Sequence, residues 1–142
     1  MRPSVLLDTG PILAILNGED HWHEECHRTL QNLHKPLLTS EAVLAEVFYM
    51  VSDAYFMVER AWTFVRSGSL TLAKIADDDF PALSRLMHQY RDRPMDFADA
   101  TLVHLAQRES LSTILTIDVA DFQTYRIGGQ KRFRILPGKP NH

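Results

Sequence analysis

At 142 residues, 45% of them hydrophobic, the chain is long enough for one domain with a sizeable core. No apolar run approaches the roughly 18 residues of a membrane span, and the stretch Met1-Arg2-Pro3-Ser4-Val5-Leu6-Leu7-Asp8 is too short in apolar residues for a secretory leader. A net charge of −3 gives no global basic field to hold nucleic acid passively, and the lone Cys26 has no internal disulfide partner, so a reducing, cytoplasmic setting is expected.

Val5-Leu6-Leu7 is a short continuous apolar run, the pattern of a buried parallel strand. Asp8-Thr9-Gly10-Pro11 ends it in a turn, and Pro11 can open a helix over 12–16. Asp8 therefore stands at the carboxyl end of a strand, where open α/β sheets bind ligands; capping the next helix would explain it equally. A helix over 20–33 follows, with Trp22, Cys26, Thr29, Leu30 and Leu33 at core-facing spacing. Within it His23-Glu24-Glu25-Cys26-His27 matches the zinc pattern H-E-x-x-H, two histidines one turn apart with Glu24 as base. No third ligand is marked nearby, and the charges sit where a solvated face belongs, so zinc chemistry is the minor reading.

Residues 36–39 form the next strand. Ser40 caps a helix running through Met50, in which Glu46 has Ala42, Val43, Tyr49 and Met50 as its helical neighbours. Glu46 is thus expected on an apolar face, where a carboxylate needs a cation, a hydrogen-bond network or a raised pKa unless it reaches solvent. A helix over 54–66 stops at Ser67-Gly68, a strand covers 70–75, and Asp77-Asp78-Asp79 opens a helix over 80–90, where acids suit the helix dipole. Arg91 and Arg93 follow in a charged loop.

Pro94-Met95-Asp96-Phe97-Ala98-Asp99-Ala100 then starts a largely apolar helix with two carboxylates three residues apart, on nearly the same side of its first turn. Asp96 is placed as its N-cap. Asp99, one turn further in among Met95, Leu102 and Val103, is the candidate for metal. Thr113 to Thr116 is an apolar strand closed by Ile117-Asp118, so Asp118 repeats the placement of Asp8. A loop over 125–132 carries Arg126, Lys131 and Arg132, a last edge strand covers 133–136, and the tail from Pro137 is expected to be loosely ordered.

This alternation of strands and helices predicts a three-layer α/β/α sandwich with a mainly parallel sheet. Right-handed crossovers put every strand's carboxyl end on one edge, which brings Asp8 and Asp118 together, with the helices of Glu46 and Asp99 beginning from that edge. Four acids crowded there repel unless a hard cation joins them, and Mg²⁺ or Mn²⁺ suits carboxylates better than zinc does. No Gly-rich phosphate loop and no Ser-x-Gly elbow is present. Metal-assisted phosphodiester hydrolysis remains. Arg91, Arg93, Arg126, Lys131 and Arg132 are the candidate phosphate contacts.

Four short motifs in order resemble one family: Asp8 after an apolar strand; Thr39-Ser40-Glu41-Ala42-Val43-Leu44-Ala45-Glu46; Met95-Asp96-Phe97-Ala98-Asp99-Ala100; and Thr116-Ile117-Asp118 with Asp121-Phe122. The chain is similar in these to the PIN-domain ribonucleases, above all the VapC-like toxins of type II toxin–antitoxin pairs. The resemblance implies a roughly five-stranded parallel sheet, Mg²⁺ or Mn²⁺, and cleavage of single-stranded or structured RNA. It makes Asp8, Glu46, Asp99 and Asp118 the catalytic, metal-binding acids. It also places Thr116 beside the site, in reach of a carboxylate or a metal-bound water, and leaves Asp96 in a second tier. It further implies a homodimer and an antitoxin protein that covers or enters the site. Against this stand a non-catalytic module of the same fold, and the zinc hydrolase built on His23, Glu24 and His27.

Overall fold

The computed structural model describes residues 2–138, so the expected loose tail from Pro137 falls mostly outside the described residues, on 139–142. The elements run β1 (Val5–Leu7), α1 (Thr9–Leu16), α2 (His23–Asn32), β2 (Leu37–Ser40), α3 (Glu41–Met50), α4 (Tyr55–Arg66), β3 (Leu70–Ala73), a 3₁₀ turn (Asp77–Asp79), α5 (Phe80–Gln89), α6 (Phe97–Arg108), β4 (Thr113–Leu115), α7 (Val119–Thr124) and β5 (Arg134–Leu136). The strands form one five-stranded sheet in the order β3-β2-β1-β4-β5, parallel throughout. The central strands β1 and β2 are buried at every residue, which is why they read as unbroken apolar runs.

The chain winds one way from β1 through β3, then crosses to β4 and winds the other way to β5. With right-handed crossovers the helices of the two halves lie on opposite faces, giving the three layers. The strand order reverses between β1 and β4, and a crevice opens there beyond the strand carboxyl ends. Asp8 leaves β1 and Asp118 follows β4, so both acids flank that crevice.

Two local features bring these segments close. Helix α1 begins at Thr9, earlier than the turn signal indicated, because the Asp8 Oδ1 accepts the Thr9 N–H at 2.8 Å and caps the helix as soon as the strand ends. Gly10 then lies against Ile117: a Cβ at this position would stand 2.6 Å from Ile117 Cγ1. A side chain there would push the first turn of α1 away from the segment that carries Asp118.

Helix α6 is the central packing element, buried at Ala98, Asp99, Ala100, Thr101, Leu102, Val103, Leu105 and Ala106. The start of α3 is pinned to it: Ser40 Oγ lies 2.8 Å from Thr101 Oγ1 and also accepts the Val43 N–H. Strand β3 stops two residues short of the expected end. Side chains take its next backbone groups instead, Arg108 donating to the Lys74 carbonyl and Asp79 accepting the Ala76 N–H. Asp79 also meets His104 at 2.8 Å and Arg108 at 3.0 Å, so the acidic run ties α5 to α6 as well as serving a helix start. The hydrogen bond with His104 holds its carboxyl below the ordinary value.

Helix α2 buries Cys26 and Leu30, with Trp22, Thr29 and Leu33 half-buried. Burial raises the Cys26 thiol to about 11, which leaves it an inert core residue. His23 uses Nδ1 on the Ala14 carbonyl at 2.7 Å and stacks on His27 with ring centroids 5.8 Å apart, while Glu24 is exposed. Among the described residues no third metal-ligating group joins these two histidines.

Candidate functional site

Six carboxylates from five segments meet at the crevice between β1 and β4. Asp8 is buried, and both its oxygens are engaged: Oδ1 with the Thr9 N–H, Oδ2 with the Thr116 hydroxyl at 2.7 Å. The capping role that its position allowed is thus present on Oδ1, while Oδ2 is turned to the segment after β4. Thr116 is fully buried, and its Oγ1 also accepts the Asp118 N–H at 2.9 Å. One hydroxyl therefore fixes the end of β1 against the turn after β4. Burial, opposed by these bonds and reinforced by the charges of Asp96 and Asp121, raises the Asp8 carboxyl above its ordinary value.

Asp99 is buried on the first turn of α6, its N–H bonded to Asp96 Oδ1 at 2.8 Å. Asp96 is thus the N-cap, as its position before the helix indicated. Asp99 does not complete a capping box; its Oδ2 accepts the Tyr125 hydroxyl at 2.8 Å. Burial first, then the nearby Asp96, Asp8 and Asp118, push its carboxyl to about 8 against the pull of the Tyr125 bond. Asp118 stands at the exposed mouth. Partial desolvation and the contact with Asp121 lift it to about 6. Carboxylate oxygens of Asp99, Asp118 and Asp121 all lie within 4.8 Å of one another.

Glu46 departs from the expected setting. Its apolar helical neighbours Tyr49 and Met50 are 77% and 61% exposed, so Glu46 lies at the rim of α3's buried face and is only half-buried itself. It is held by Thr9, whose hydroxyl donates to Oε1 at 2.8 Å, and partial burial together with the Asp96 charge raises its pKa. Asp121 belongs to the last of the four motifs, which assigns it no role. Its place in the triad was legible only as a helical offset, three residues beyond Asp118 on the first turn of α7.

The basic candidates divide. Arg93 pairs with Asp121 at 2.6 Å, so it already neutralises one acid of the triad. Arg126 is folded back on the chain: its Nη1 donates to the carbonyls of Gln123, Thr124 and Tyr125 at the end of α7. Arg91 donates to the His88 carbonyl on an exposed loop. Lys131 and Arg132 are exposed and make no ion pair among the described residues. Beside Glu46 and Asp96 a cavity of about 740 Å³ opens, walled by Ala42, Ala45, Ile75, Phe80, Phe97 and Ala98 among others.

Asp96 serves two opposed ends, capping α6 while adding negative charge to the cluster. Asp96→Ser, which keeps the cap, is expected to melt about 3 °C above Asp96→Ala, a difference of about 1 kcal/mol. Both variants are expected to retain part of the activity. Thermal unfolding without added metal measures the first, and equal melting of the two would remove Asp96 from the capping role.

The PIN domain family model matches residues 5–126. Ribonuclease VapC26 of Mycobacterium tuberculosis is 29% identical over 138 residues, which cover 94% of this chain and all of that protein. Among solved structures, the chain's fold is similar to that of M. tuberculosis VapC20, a toxin that cleaves the sarcin–ricin loop. That match has a TM-score of 0.74 at 18% identity, over 83% of this chain and 94% of the other. It is also similar to VapBC2 from Rickettsia felis, solved bound to a DNA fragment from its promoter, with a TM-score of 0.69 at 17% identity over 92% and 97%. A toxin–antitoxin complex from Klebsiella pneumoniae gives 0.64 at 22% identity over 85% and 92%. At these identities the structural likeness is one of fold.

Proposed function

The chain belongs to the PIN domain family, and from that premise we propose that it is a divalent-metal-dependent endoribonuclease of the VapC type, the toxin of a toxin–antitoxin pair. The convergence of Asp8, Asp99, Asp118 and Asp121 on one crevice, with Glu46 and Asp96 at its edge, is the observation that carries the reading. The donor set is all carboxylate oxygen, which fits Mg²⁺ or Mn²⁺ and does not fit a soft metal. Asp8, Glu46, Asp99 and Asp118 are the residues that would hold the ion, with Asp121 as a further ligand and Asp96 and Thr116 in support.

When bound, the metal neutralises the cluster, stabilises charge on the cleaved phosphate and makes water a better nucleophile. The protein's own part is to hold the carboxylates in place. Thr116 and the Thr9 N–H orient Asp8, the Thr9 hydroxyl orients Glu46, and Tyr125 orients Asp99. Arg93 sits on Asp121 at the mouth, within the site's charge network, and is the strongest of the basic candidates for meeting an RNA phosphate. Lys131, Arg132 and Arg91 are peripheral to it.

Partners follow from the same reading. A homodimer and an antitoxin both need apolar surface, and Tyr49, Met50, Tyr55, Phe56 and Trp62 are large, exposed and concentrated in α3 and α4. The related toxin–antitoxin assemblies support an antitoxin as one occupant.

The test is cleavage of a mixed RNA pool by the purified protein in Mn²⁺ and in EDTA, with Asp8→Asn beside it. Cleavage is expected only with metal, and Asp8→Asn is expected to lose it by at least ~10²-fold. An uncut pool in Mn²⁺, or an Asp8→Asn variant as active as the parent, would leave a non-catalytic module of the same fold.

A further inference from the structure

We infer that Tyr125 is a positioning residue for the metal site, acting through Asp99. It lies just beyond α7, is fully buried, and donates its hydroxyl to Asp99 Oδ2 at 2.8 Å across the chain. A buried tyrosine hydroxyl needs a partner, and packing alone would have been served by phenylalanine. The ring already has that packing, edge-on to Phe122 at 5.1 Å and to Tyr90 at 5.0 Å. Tyr90 is itself held, because its hydroxyl accepts the Arg126 N–H at 3.0 Å. The oxygen of Tyr125 is thus fixed by an aromatic frame and aimed at one oxygen of one acid.

The consequence for Asp99 is a division of labour between its two oxygens. Oδ2 is occupied by the hydroxyl. Oδ1 takes no side-chain hydrogen bond, yet no buried side-chain oxygen among the described residues lacks a partner, so Oδ1 is open to solvent. Tyr125 therefore fixes one oxygen of a carboxylate that lies within 4.8 Å of those of Asp118 and Asp121, and leaves its other oxygen without a side-chain partner. Partners that orient a ligating carboxylate in this way typically contribute 10–100-fold to metal affinity or activity. Tyr125 also draws Asp99 and α7 together: Asp121, on the same helix, accepts the Tyr125 N–H through its carbonyl. The ring frame, the hydroxyl and one triad acid thus form a single unit.

The inference rests on the divalent-metal reading of the site, and one experiment separates the two. Mn²⁺ binding is measured by calorimetry for the wild type, Asp99→Asn and Tyr125→Phe, with unfolding midpoints in EDTA and RNA cleavage across a Mn²⁺ series. Tyr125→Phe removes one oxygen and keeps the ring. Its Mn²⁺ dissociation constant is expected to rise by about 10–100-fold. The Mn²⁺ concentration giving half-maximal cleavage should rise by the same factor, while turnover at saturating Mn²⁺ stays within a few-fold of wild type. A residue that only filled space would not shift the metal requirement while sparing turnover. Wild-type Mn²⁺ affinity in a folded Tyr125→Phe protein overturns the role of Tyr125 and leaves the metal site standing. A Tyr125→Phe chain that does not fold also overturns it, by assigning the hydroxyl to stability. A wild type that binds no Mn²⁺, or binds it no better than Asp99→Asn, overturns the metal reading and with it the role assigned to Tyr125.

Discussion

Asp99→Asn is expected to lower RNA cleavage by about 10³-fold while raising the melting temperature of the metal-free protein at pH 8. The loss follows from removing the charge of the most buried acid in the triad. A bound metal supplies several kcal/mol of charge stabilisation in phosphoryl chemistry, and forfeiting about 4 kcal/mol of it corresponds to about 10³ in rate. The gain in stability has the same origin. In the folded chain burial pushes the Asp99 carboxyl up to about 8, whereas an unburied aspartate titrates near 3.8. At pH 8 the native state must therefore either take up a proton or carry a crowded charge. An asparagine there has no such cost, and its carbonyl oxygen can still accept the Tyr125 hydroxyl. A gain of about 1–3 kcal/mol, or roughly 3–9 °C, is expected. Activity assays in Mn²⁺ and thermal unfolding in EDTA decide both halves. A variant that loses activity and also melts lower at pH 8 would show that Asp99 holds the fold together and would take it out of the metal site.

The metal-free wild type should lose stability as pH rises from about 4 to 8, and Mn²⁺ should restore it mainly at the upper end. Asp8, Glu46, Asp99 and Asp118 all have raised carboxyl pKa values, to about 8 for Asp99 and about 6 for Asp118. In that window the native state holds more protons than the unfolded chain, so the slope of stability with pH is negative. Below the unfolded values both states are protonated and the penalty vanishes; above the folded values it is complete. Each full proton of difference contributes at most about 1.4 kcal/mol per pH unit, or about 4 °C. Metal competes with those protons. At a hundred times its dissociation constant Mn²⁺ would add about 2.7 kcal/mol, and this shift should be larger at pH 8 than at pH 5. The difference between wild type and Asp99→Asn isolates the part of the effect that comes from the acidic cluster. A melting temperature in EDTA that differs from that of Asp99→Asn by the same amount at pH 5 and pH 8 would show that the acids are not crowded. An equal Mn²⁺ shift at both pH values would put the ion elsewhere.

Arg93 lowers the cost of the acidic cluster in the absence of metal. Its guanidinium meets Asp121 at 2.6 Å, and both side chains remain partly exposed, so the pair can be remade without burying a bare charge. The cation that balances Asp121 is thus already within the chain, on the loop before α6. Asp99 has no such counter-ion and relies on a neutral hydroxyl instead. Burial, with the charges of Asp96, Asp8 and Asp118, therefore pushes the Asp99 carboxyl up to about 8 against that hydroxyl's pull.

The strand–helix alternation was readable from residues a few positions apart, because burial on both faces of a parallel strand and on one face of a helix leaves short, periodic marks. The caps at Ser40 and Asp96 were legible for the same reason, each being a contact across three residues. Asp8, Glu46, Asp99 and Asp118 could be singled out as acids beside apolar runs and at strand ends. Element limits were less legible: α1 opens at Thr9 and β3 closes at Ala73 because Asp8, Arg108 and Asp79 claim the adjoining backbone groups.

Local pattern determined the fold class and marked acids beside apolar runs and at strand ends. Tertiary structure decided how those acids are held: the Thr116 bridge between Asp8 and Asp118, the Thr9 bond to Glu46, the Tyr125 bond to Asp99, the entry of Asp121 into the triad and the capture of Arg93 and Arg126. The bridge from Thr116 to Asp8 joins residues 108 positions apart, and the bond from Tyr125 to Asp99 joins residues 26 apart. Hydrophobic periodicity records which side of an element is buried. It does not record which distant hydroxyl or guanidinium will stand opposite a carboxylate, because the packing of whole elements around the β1–β4 crevice sets that distance.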